Sequence, residues 1–400
     1  MKALSLSRLG SFGLESRIVL IATLVQFVNV MDFMMVMPLG PDISKALPVT
    51  NADIGLICGC YTLAVSFSGL VCSNFLDRFD RKHVALAAVA GLTISTILAP
   101  LAQGLWSLVF YRVLAGLFGG PAAAIALTIT TDAVPPERRG RALAIVMGTF
   151  SIAAIVALPF GLELARVGGW MCPFYVISGA GLLVMGVILV YMPSMTDHKR
   201  AGKTRGSFIK LVRDKANYMA LCMFGSSKCS SFLIITNISA FFQLNRGLPR
   251  AELSVLYFAA GVVSLVAVQI AGRLNDRVGP IALNIVTTAF LVAFIADGFM
   301  HLNVTPLLVI FVMFSALVCM RDVSAAAEGS KIPQPYERAS FMALISSVQH
   351  FGNGVGALIS SAILTTSADG ALVGMAVVAG LSIVLALIQP IVLVKLAARY

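Results

Sequence analysis

Charge is what this 400-residue chain has least of. Asp, Glu, Lys and Arg make up 12% of it, where a soluble domain carries roughly 25%. Hydrophobic residues make up 58%. So little polar surface excludes a soluble globule of this length and makes lipid the solvent. Catalytic signatures are missing too. There is no G-x-S-x-G, no H-E-x-x-H and no glycine loop of the phosphate-cradling type, so no enzyme chemistry is expected. The seven cysteines (58, 60, 72, 172, 222, 229 and 319) all fall in apolar runs. The closest pair is Cys58-Gly59-Cys60, and residues two apart on a helix do not face each other. They read as packing residues, and no metal or cofactor is expected. The first apolar run is too long for a cleaved signal peptide and precedes no soluble domain.

What is present is a series of twelve apolar stretches near the roughly 20-residue length that crosses a bilayer. They cover approximately 17–39, 53–74, 84–103, 105–131, 142–166, 170–192, 218–243, 252–273, 281–301, 304–327, 338–366 and 370–394. Backbone in hydrocarbon must bond to itself, so these are helices and the chain is an all-α membrane protein. The net charge of +11 invites a nucleic-acid partner, but its distribution argues otherwise. With the N-terminus cytoplasmic, 22 of the 29 Lys and Arg residues fall in cytoplasmic loops and tails. Outside fall Lys45, Arg166, Arg246 and Arg250, and within spans Arg112, Lys228 and Arg321. This positive-inside bias puts both termini in the cytoplasm, with the bilayer and not nucleic acid as the partner.

The chain also echoes itself. Leu76-Asp77-Arg78-Phe79-Asp80-Arg81-Lys82 follows one apolar stretch, and Asn275-Asp276-Arg277-Val278-Gly279 follows another 199 residues later. Glu137-Arg138 and Glu337-Arg338 lie 200 apart. Half of the chain therefore repeats the other half, the pattern of carriers whose two halves rock against each other. The expected division is a six-helix bundle over 1–192, a basic cytoplasmic linker over 193–217 and a second bundle over 218–400. Phe208, Ile209, Leu211 and Val212, set among the linker's charges, suit either a short helix on the anionic leaflet or a plain solvated connection.

Several of these runs resemble signatures of a known family. Residues 73–82 are similar to the G-x-L-x-D-R-x-G-R-R/K loop of the major facilitator superfamily, with Ser73 and Asp80 at the glycine positions. Gly272-Arg273-Leu274-Asn275-Asp276-Arg277-Val278-Gly279 keeps both glycines and lacks the basic pair. Met31-Asp32-Phe33-Met34 through Pro41 resembles the first span of the bacterial twelve-span drug:proton antiporter and sugar-efflux branch. Arg112-Val113-Leu114-Ala115-Gly116 is similar to its R-x-x-x-G motif, Pro135 to Ala142 to its loop before span 5, and Gly169-Trp170 with Pro173-Phe174 to its entry to span 6. The likeness covers essentially the whole chain. In span 5 the antiporter run G-x-x-x-G-P-x-x-G-G is replaced by Ala154 to Glu163, where only Pro159 keeps its place. The resemblance implies twelve transmembrane helices in two pseudo-symmetric six-helix bundles, a monomer in the bacterial inner membrane, and a proton gradient as energy source.

Charges deep in the spans are few: Asp32 in span 1, Arg112 in span 4, Lys228 in span 7, and Arg321 with Asp322 in span 10. A charge at the bilayer centre costs about 2.5–3.5 kcal/mol on the insertion scale, so each needs a cavity or a partner. In the family these four helices line the central cavity. Asp32 reads as a proton carrier, or else as a carboxylate permanently paired to a base. Arg112 resembles the family arginine that assists proton movement, or bonds helix carbonyls. Lys228 has Asn29 as its repeat counterpart, one turn from Asp32, and so is expected near Asp32 with a role in binding an anion or tuning that carboxylate. Arg321 is placed at the substrate or at a gate. His350, with Gln349 and Asn353, is either a substrate contact or an interhelical hydrogen-bonding group.

Asp77, Arg78, Arg81, Asp276 and Arg277 are expected to form a conformational latch, Asp77 meeting the N-terminal end of span 11. Gly and Ala residues of spans 2, 5, 8 and 11, including Gly352, Gly354 and Gly356, permit close helix approach. The resulting expectation is proton-coupled export of a small amphipathic solute, with three deep cations against two anions favouring an anionic or zwitterionic one. Uptake of a small metabolite or metal chelate, or a non-transporting sensor on the same fold, are the alternatives.

Overall fold

The computed structural model describes residues 3–75, 78–196, 208–300, 304–329, 331–332 and 338–397. Its architecture is helical: α1 (Ala3–Met35), α2 (Gly40–Ala46), α3 (Ile54–Phe75), α4 (Arg81–Leu98), α5 (Leu105–Ala133), α6 (Pro136–Ile152), α7 (Leu158–Gly168), α8 (Cys172–Tyr191), α9 (Phe208–Arg213), α10 (Lys215–Ile235), α11 (Ile238–Leu244), α12 (Leu253–Val278), α13 (Pro280–Phe299), α14 (Leu307–Gly329), α15 (Arg338–Ile363) and α16 (Met375–Ala397). A two-stranded hairpin, β1 (Thr365–Thr366) with β2 (Leu372–Val373), joins the last two helices.

Eleven helical segments among the described residues are long and apolar enough to cross a bilayer. The twelfth span is α15. It is long enough, but carries Ser346, Ser347, Gln349, His350 and Asn353 in mid-helix. The reason is its position, packed between α3 and α10, where Ser347, Gln349, His350 and Asn353 meet protein instead of lipid while Ser346 is exposed. Helices α1 and α3–α8 pack among themselves, as do α10 and α12–α16, and the two groups meet along α3/α15 and α7/α12. The molecule is thus an all-α membrane protein of twelve spans in two pseudo-symmetric six-helix bundles.

The internal repeat is visible in where helices break. α1 stops at a turn over Val36–Leu39 containing Pro38, and α2 follows. α10 stops at Thr236 and Asn237, and α11 follows. The two short helices pack on each other at the end of the molecule away from both termini. Span 5 breaks differently. Residues Ala153–Ala157 wind as a π-helix before α7. Pro159 has no amide hydrogen and its ring crowds the carbonyl one turn back, which widens the helix there. This segment lies against Gly261 of α12, where a Cβ would sit 2.8 Å from Ile155 Cγ1 and 3.1 Å from Ala154 C. The glycine for close approach of these two helices stands on α12, across from the span-5 run that lacks the motif glycines.

Within the linker, α9 docks onto the second bundle. Leu211 is buried in a cluster with Leu221, Phe224 and Phe341, while Val212 is exposed. Residues 197–207 lie outside the described residues.

Backbone-level packing on α3/α15 generates a test. A Cβ at Gly55 would lie 2.5 Å from the Ala357 carbonyl oxygen and 2.9 Å from Ser361 Cβ, and backbone cannot yield as a side chain can. Gly55→Val is expected to cost about 1–3 kcal/mol through overpacking. Gly186→Ala on α8, where nothing lies within 4 Å, is expected to be neutral or to gain about 0.5–1 kcal/mol from helix propensity. Thermal unfolding of both variants in detergent distinguishes close packing from a loose interface.

Candidate functional site

The first bundle holds a charge pair sealed in its interior. Arg112 of α5 donates through Nη1 to Asp32 Oδ1 of α1 at 2.8 Å and through Nη2 to the Asp32 carbonyl at 3.1 Å. Thr96 Oγ1 of α4 lies 2.8 Å from the same Oδ1. Asp32 is 0% and Arg112 1% exposed, so the pair touches no solvent. The guanidinium also lies over the Tyr61 ring of α3, 4.2 Å from its centroid. Asp32 Oδ2 and Arg112 Nε have no hydrogen-bond partner. The pair joins four helices and leaves one carboxylate oxygen unbonded.

In the second bundle, Lys228 of α10 donates to Asp322 Oδ2 of α14 at 2.6 Å. Their side chains are 21% and 30% exposed, so this pair borders accessible space. The partner of Lys228 is therefore Asp322 and not Asp32. Asn29, its repeat counterpart, is buried with Oδ1 unpartnered.

Arg321 takes the opposite side of α14. It is 1% exposed and donates through Nη2 to the Ala386 carbonyl of α16 at 2.8 Å. Successive helical residues point about 100° apart, so Arg321 and Asp322 cannot both line the centre. Sequence reasoning placed Arg321 at the substrate or at a gate. The structure puts it between α14 and α16, with Asp322 on the side of Lys228. The missed residue had a readable signal, an acid adjoining a deep base, but adjacency alone does not say which of the two faces inward.

Between the bundles lies a run of rings. Phe33 of α1 stacks on Tyr61 at 5.8 Å and on Phe232 of α10 at 6.1 Å, and meets His350 of α15 edge-on at 6.3 Å. Gln26, Asn29 and Phe33 share a face of α1 by helical spacing, as do Lys228 and Phe232 on α10 and His350 and Asn353 on α15. Gln26 Oε1, Asn29 Oδ1, His350 Nδ1 and Asn353 Oδ1 have no partner. Aromatic faces and unused polar atoms thus collect beside an ion pair. None of the rings had a sequence signal beyond ordinary core composition.

The end away from both termini is closed. Arg250 grips Asp42 of α2 through Nε at 3.0 Å and Nη2 at 2.6 Å, and reaches the Leu162 carbonyl of α7 at 3.3 Å. Ser361 donates to the Ala52 carbonyl at 2.6 Å, and Asn245 holds both the amide and the carbonyl of Leu372. Deeper along α3, Ser66 donates to the Ser347 carbonyl of α15 at 2.8 Å.

Among the described residues, the expected latch positions lie around the start of α4 and at the end of α12. Asp77 lies outside the described residues. Arg78 is exposed. Arg81 is buried and donates through Nε to Asp132 Oδ2 at the end of α5, 3.1 Å away, which ties it to its own bundle. Asp276 and Arg277 are exposed at the end of α12 and form no ion pair among the described residues. Asp80, at a motif glycine position, caps α4 by accepting the Lys82 amide at 2.9 Å, and also accepts the Met195 amide at 3.0 Å and the Ser194 hydroxyl. It fastens the start of span 3 to the chain leaving span 6.

A charge pair thus lies within each of two repeated bundles, with a polar and aromatic centre between them and a cross-bonded end away from both termini. The Major Facilitator Superfamily model matches residues 22–327, and the chain belongs to that family. The relatives it matches are named as transporters. It is 25% identical over 236 residues to the uncharacterized MFS-type transporter YtbD of Bacillus subtilis (strain 168), covering 59% of each chain. It is 24% identical over 265 residues to the purine ribonucleoside efflux pump NepI of Escherichia coli O157:H7, covering 66% of each. The chain thus spans about three-fifths to two-thirds of the length of these curated relatives. Among solved structures, a bacterial homolog of the lysosomal transporter Spinster, inward-facing and unoccupied, superposes with TM-score 0.72 at 18% identity over 96% of both chains. The nucleoside transporter NupG gives TM-score 0.75 at 13% identity over 96% of this chain and 99% of its own. These two share the fold.

Two tests follow from the charges. Arg112→Met strands the Asp32 carboxylate in the bundle and is expected to cost about 3–5 kcal/mol, against a smaller loss for Arg112→Met paired with Asp32→Asn. Thermal unfolding of the single and double variants measures the coupling. For Asp80, burial opposes the charged form, but hydrogen bonds from the Ser194 hydroxyl and the Met195 and Lys82 amides, with the nearby His83 charge, outweigh it. They hold the carboxyl at about 2, below its ordinary 3.8. A lowered folded-state value means stability fully present above pH 3.8 and lost as pH falls to about 2. Asp80→Ala is expected to lose about 0.5–2 kcal/mol at neutral pH, with the gap to wild type narrowing through that acid window in a pH series of unfolding curves.

Proposed function

We propose that this protein exports a small, ring-bearing polar solute of the purine-nucleoside kind across the bacterial inner membrane, in exchange for protons and by alternating access. The observation that carries the reading is the partly exposed Lys228–Asp322 pair one helical turn from the Phe232 ring, with Phe33 and His350 beside it. A planar base gains from stacking on such rings, and its edge N–H groups can donate to the unpartnered oxygens of Asn29 and Asn353 and to His350 Nδ1. The printed activity of one relative, purine ribonucleoside efflux, supports the same class.

Charge pairing revises the solute expected from sequence. Three deep cations against two anions favoured an anionic or zwitterionic solute. With Asp32 joined to Arg112, Lys228 joined to Asp322 and Arg321 turned toward Ala386, the lining is balanced, which supports a neutral or zwitterionic solute. Asp32 is the proton-exchanging group, its unbonded Oδ2 being the site of protonation. Lys228 and Asp322 answer to the solute, whose polar atoms compete for their pairing. The positive-inside bias supports cytoplasmic termini, which makes the closed end periplasmic and leaves solute entry to the cytoplasmic side. The inward proton gradient can drive export, each charge moved through 100 mV being worth about 2.3 kcal/mol.

The test is transport by protein reconstituted in liposomes, with inosine, adenosine and a carboxylated nucleoside as probes. Export is expected to rise with an imposed inward proton gradient and to acidify the compartment that receives the protons. Lys228→Met and Asp322→Asn are each expected to weaken inosine binding tenfold or more, about 1.4 kcal/mol or more. Solute moving in the same direction as the proton would replace export with uptake. Stronger transport of the carboxylated probe would restore the anionic solute.

A further inference from the structure

The structure assigns Tyr61 as the positioning residue that carries the protonation state of Asp32 to the rings of the solute site. This rests on the reading of Asp32 as the proton-exchanging group. The two charge pairs lie in different bundles, and no ion pair joins them among the described residues. What joins them is a sequence of faces. The Arg112 guanidinium lies 4.2 Å from the Tyr61 ring centroid. Tyr61 and Phe33 are 5.8 Å apart and 24° from parallel, and Phe33 and Phe232 are 6.1 Å apart and 22° from parallel. The run begins at a buried cation in the first bundle and ends on α10 of the second, at the ring one turn from Lys228.

The physical chain has three links. A proton taken up at Asp32 Oδ2 forms the neutral acid and removes the ionic attraction at Arg112 Nη1, while the Nη2 bond to the Asp32 carbonyl remains. The guanidinium stays charged in a water-free interior, and the Tyr61 ring face becomes its main remaining source of negative potential. The cation settles toward that face, and the ring, 2% exposed, passes the shift to Phe33 by close packing. Space at α5 is set for this. A Cβ at Gly119 would lie 3.0 Å from the Tyr61 hydroxyl and 2.9 Å from Asn29 Oδ1, so a larger residue there would press on the hydroxyl end of the ring. Other titratable or charged groups around the run are Asp32 itself, which also acts directly on the Tyr61 hydroxyl and loses that route in Tyr61→Phe, Cys58 on α3, beside Arg112, and His350 on α15 with Lys228 on α10 behind it. The facing group on α4 is the neutral Thr96.

The experiment reads the ring run without any solute. Trp106→Phe and Trp170→Phe remove the native indoles, and Phe33→Trp places a reporter in the run. Emission of the full chain in detergent or nanodiscs is followed from pH 5 to 9. A titration step is expected in this background and is expected to vanish with Asp32→Asn. It is expected to persist with Tyr61→Phe, which keeps the ring face, and to disappear with Tyr61→Leu. Because Tyr61→Leu removes a buried ring, trifluorophenylalanine at position 61 provides the second variant, keeping shape while cancelling the negative face. It too is expected to lose the step. A step that survives Asp32→Asn would belong to His350 and overturn the proposal. A step that survives trifluorophenylalanine, or no step at all, would overturn it equally. Since no solute is used, failure of the nucleoside reading leaves this outcome untouched.

Discussion

A charge buried in hydrocarbon must find a counter-charge or a carbonyl nearby, and in this protein it finds one inside its own bundle. Asp32 pairs with Arg112 across α1 and α5, and Lys228 with Asp322 across α10 and α14. Desolvated pairs of this kind are costly to break. Keeping each within one six-helix unit means that neither has to separate in the alternating access proposed above. The centre of the interface is left to rings, amides and small residues, whose contacts can be exchanged without stranding a charge. The Asp42–Arg250 pair does cross between the bundles, but its side chains are 20% and 21% exposed, where water can take over both charges as that end opens.

Close backbone packing supplies the moving surfaces. Gly55 and Gly59 on α3 meet Ala357 and Gly354 on α15, and Gly261 on α12 meets the π-wound stretch of span 5. The repeat places a helix break at matching points of α1 and α10, and the short helices after each break pack together over the closed end. Duplication therefore does more than double the helix count. It provides two equivalent caps that meet at the pseudo-twofold, and two first helices whose inner faces carry Asn29 and Lys228 at equivalent positions.

Much of this was legible beforehand because the physics is local. Span length follows from bilayer thickness, helicity from backbone satisfaction, and the repeat from signature loops at one offset. Asp32, Arg112 and Lys228 stood out because charge is rare in such spans. Partner choice was not legible. Asn29 as the counterpart of Lys228 pointed toward Asp32, yet Asp32 is enclosed by Arg112 and Thr96, and Lys228 turns to Asp322 on its own side. The loop signature likewise named Arg81 without naming Asp132, because the ends of span 3 and span 4 meet only in three dimensions. Asp80 looked like a lost glycine and is a cap that also holds Ser194 and Met195.

The sequence by itself determined the solvent, the number of crossings, the duplication, the family and the short inventory of charges able to do work, since each depends on composition, spacing or motif. Tertiary structure alone decided which charges neutralise one another, that Arg321 faces α16 while Asp322 faces Lys228, and that Phe33 brings Tyr61, Phe232 and His350 into one run of rings. Those outcomes depend on helix rotation and on contacts between segments tens to hundreds of residues apart. A rotation of about 100° exchanges one neighbour for the next, and no local pattern in the chain records it.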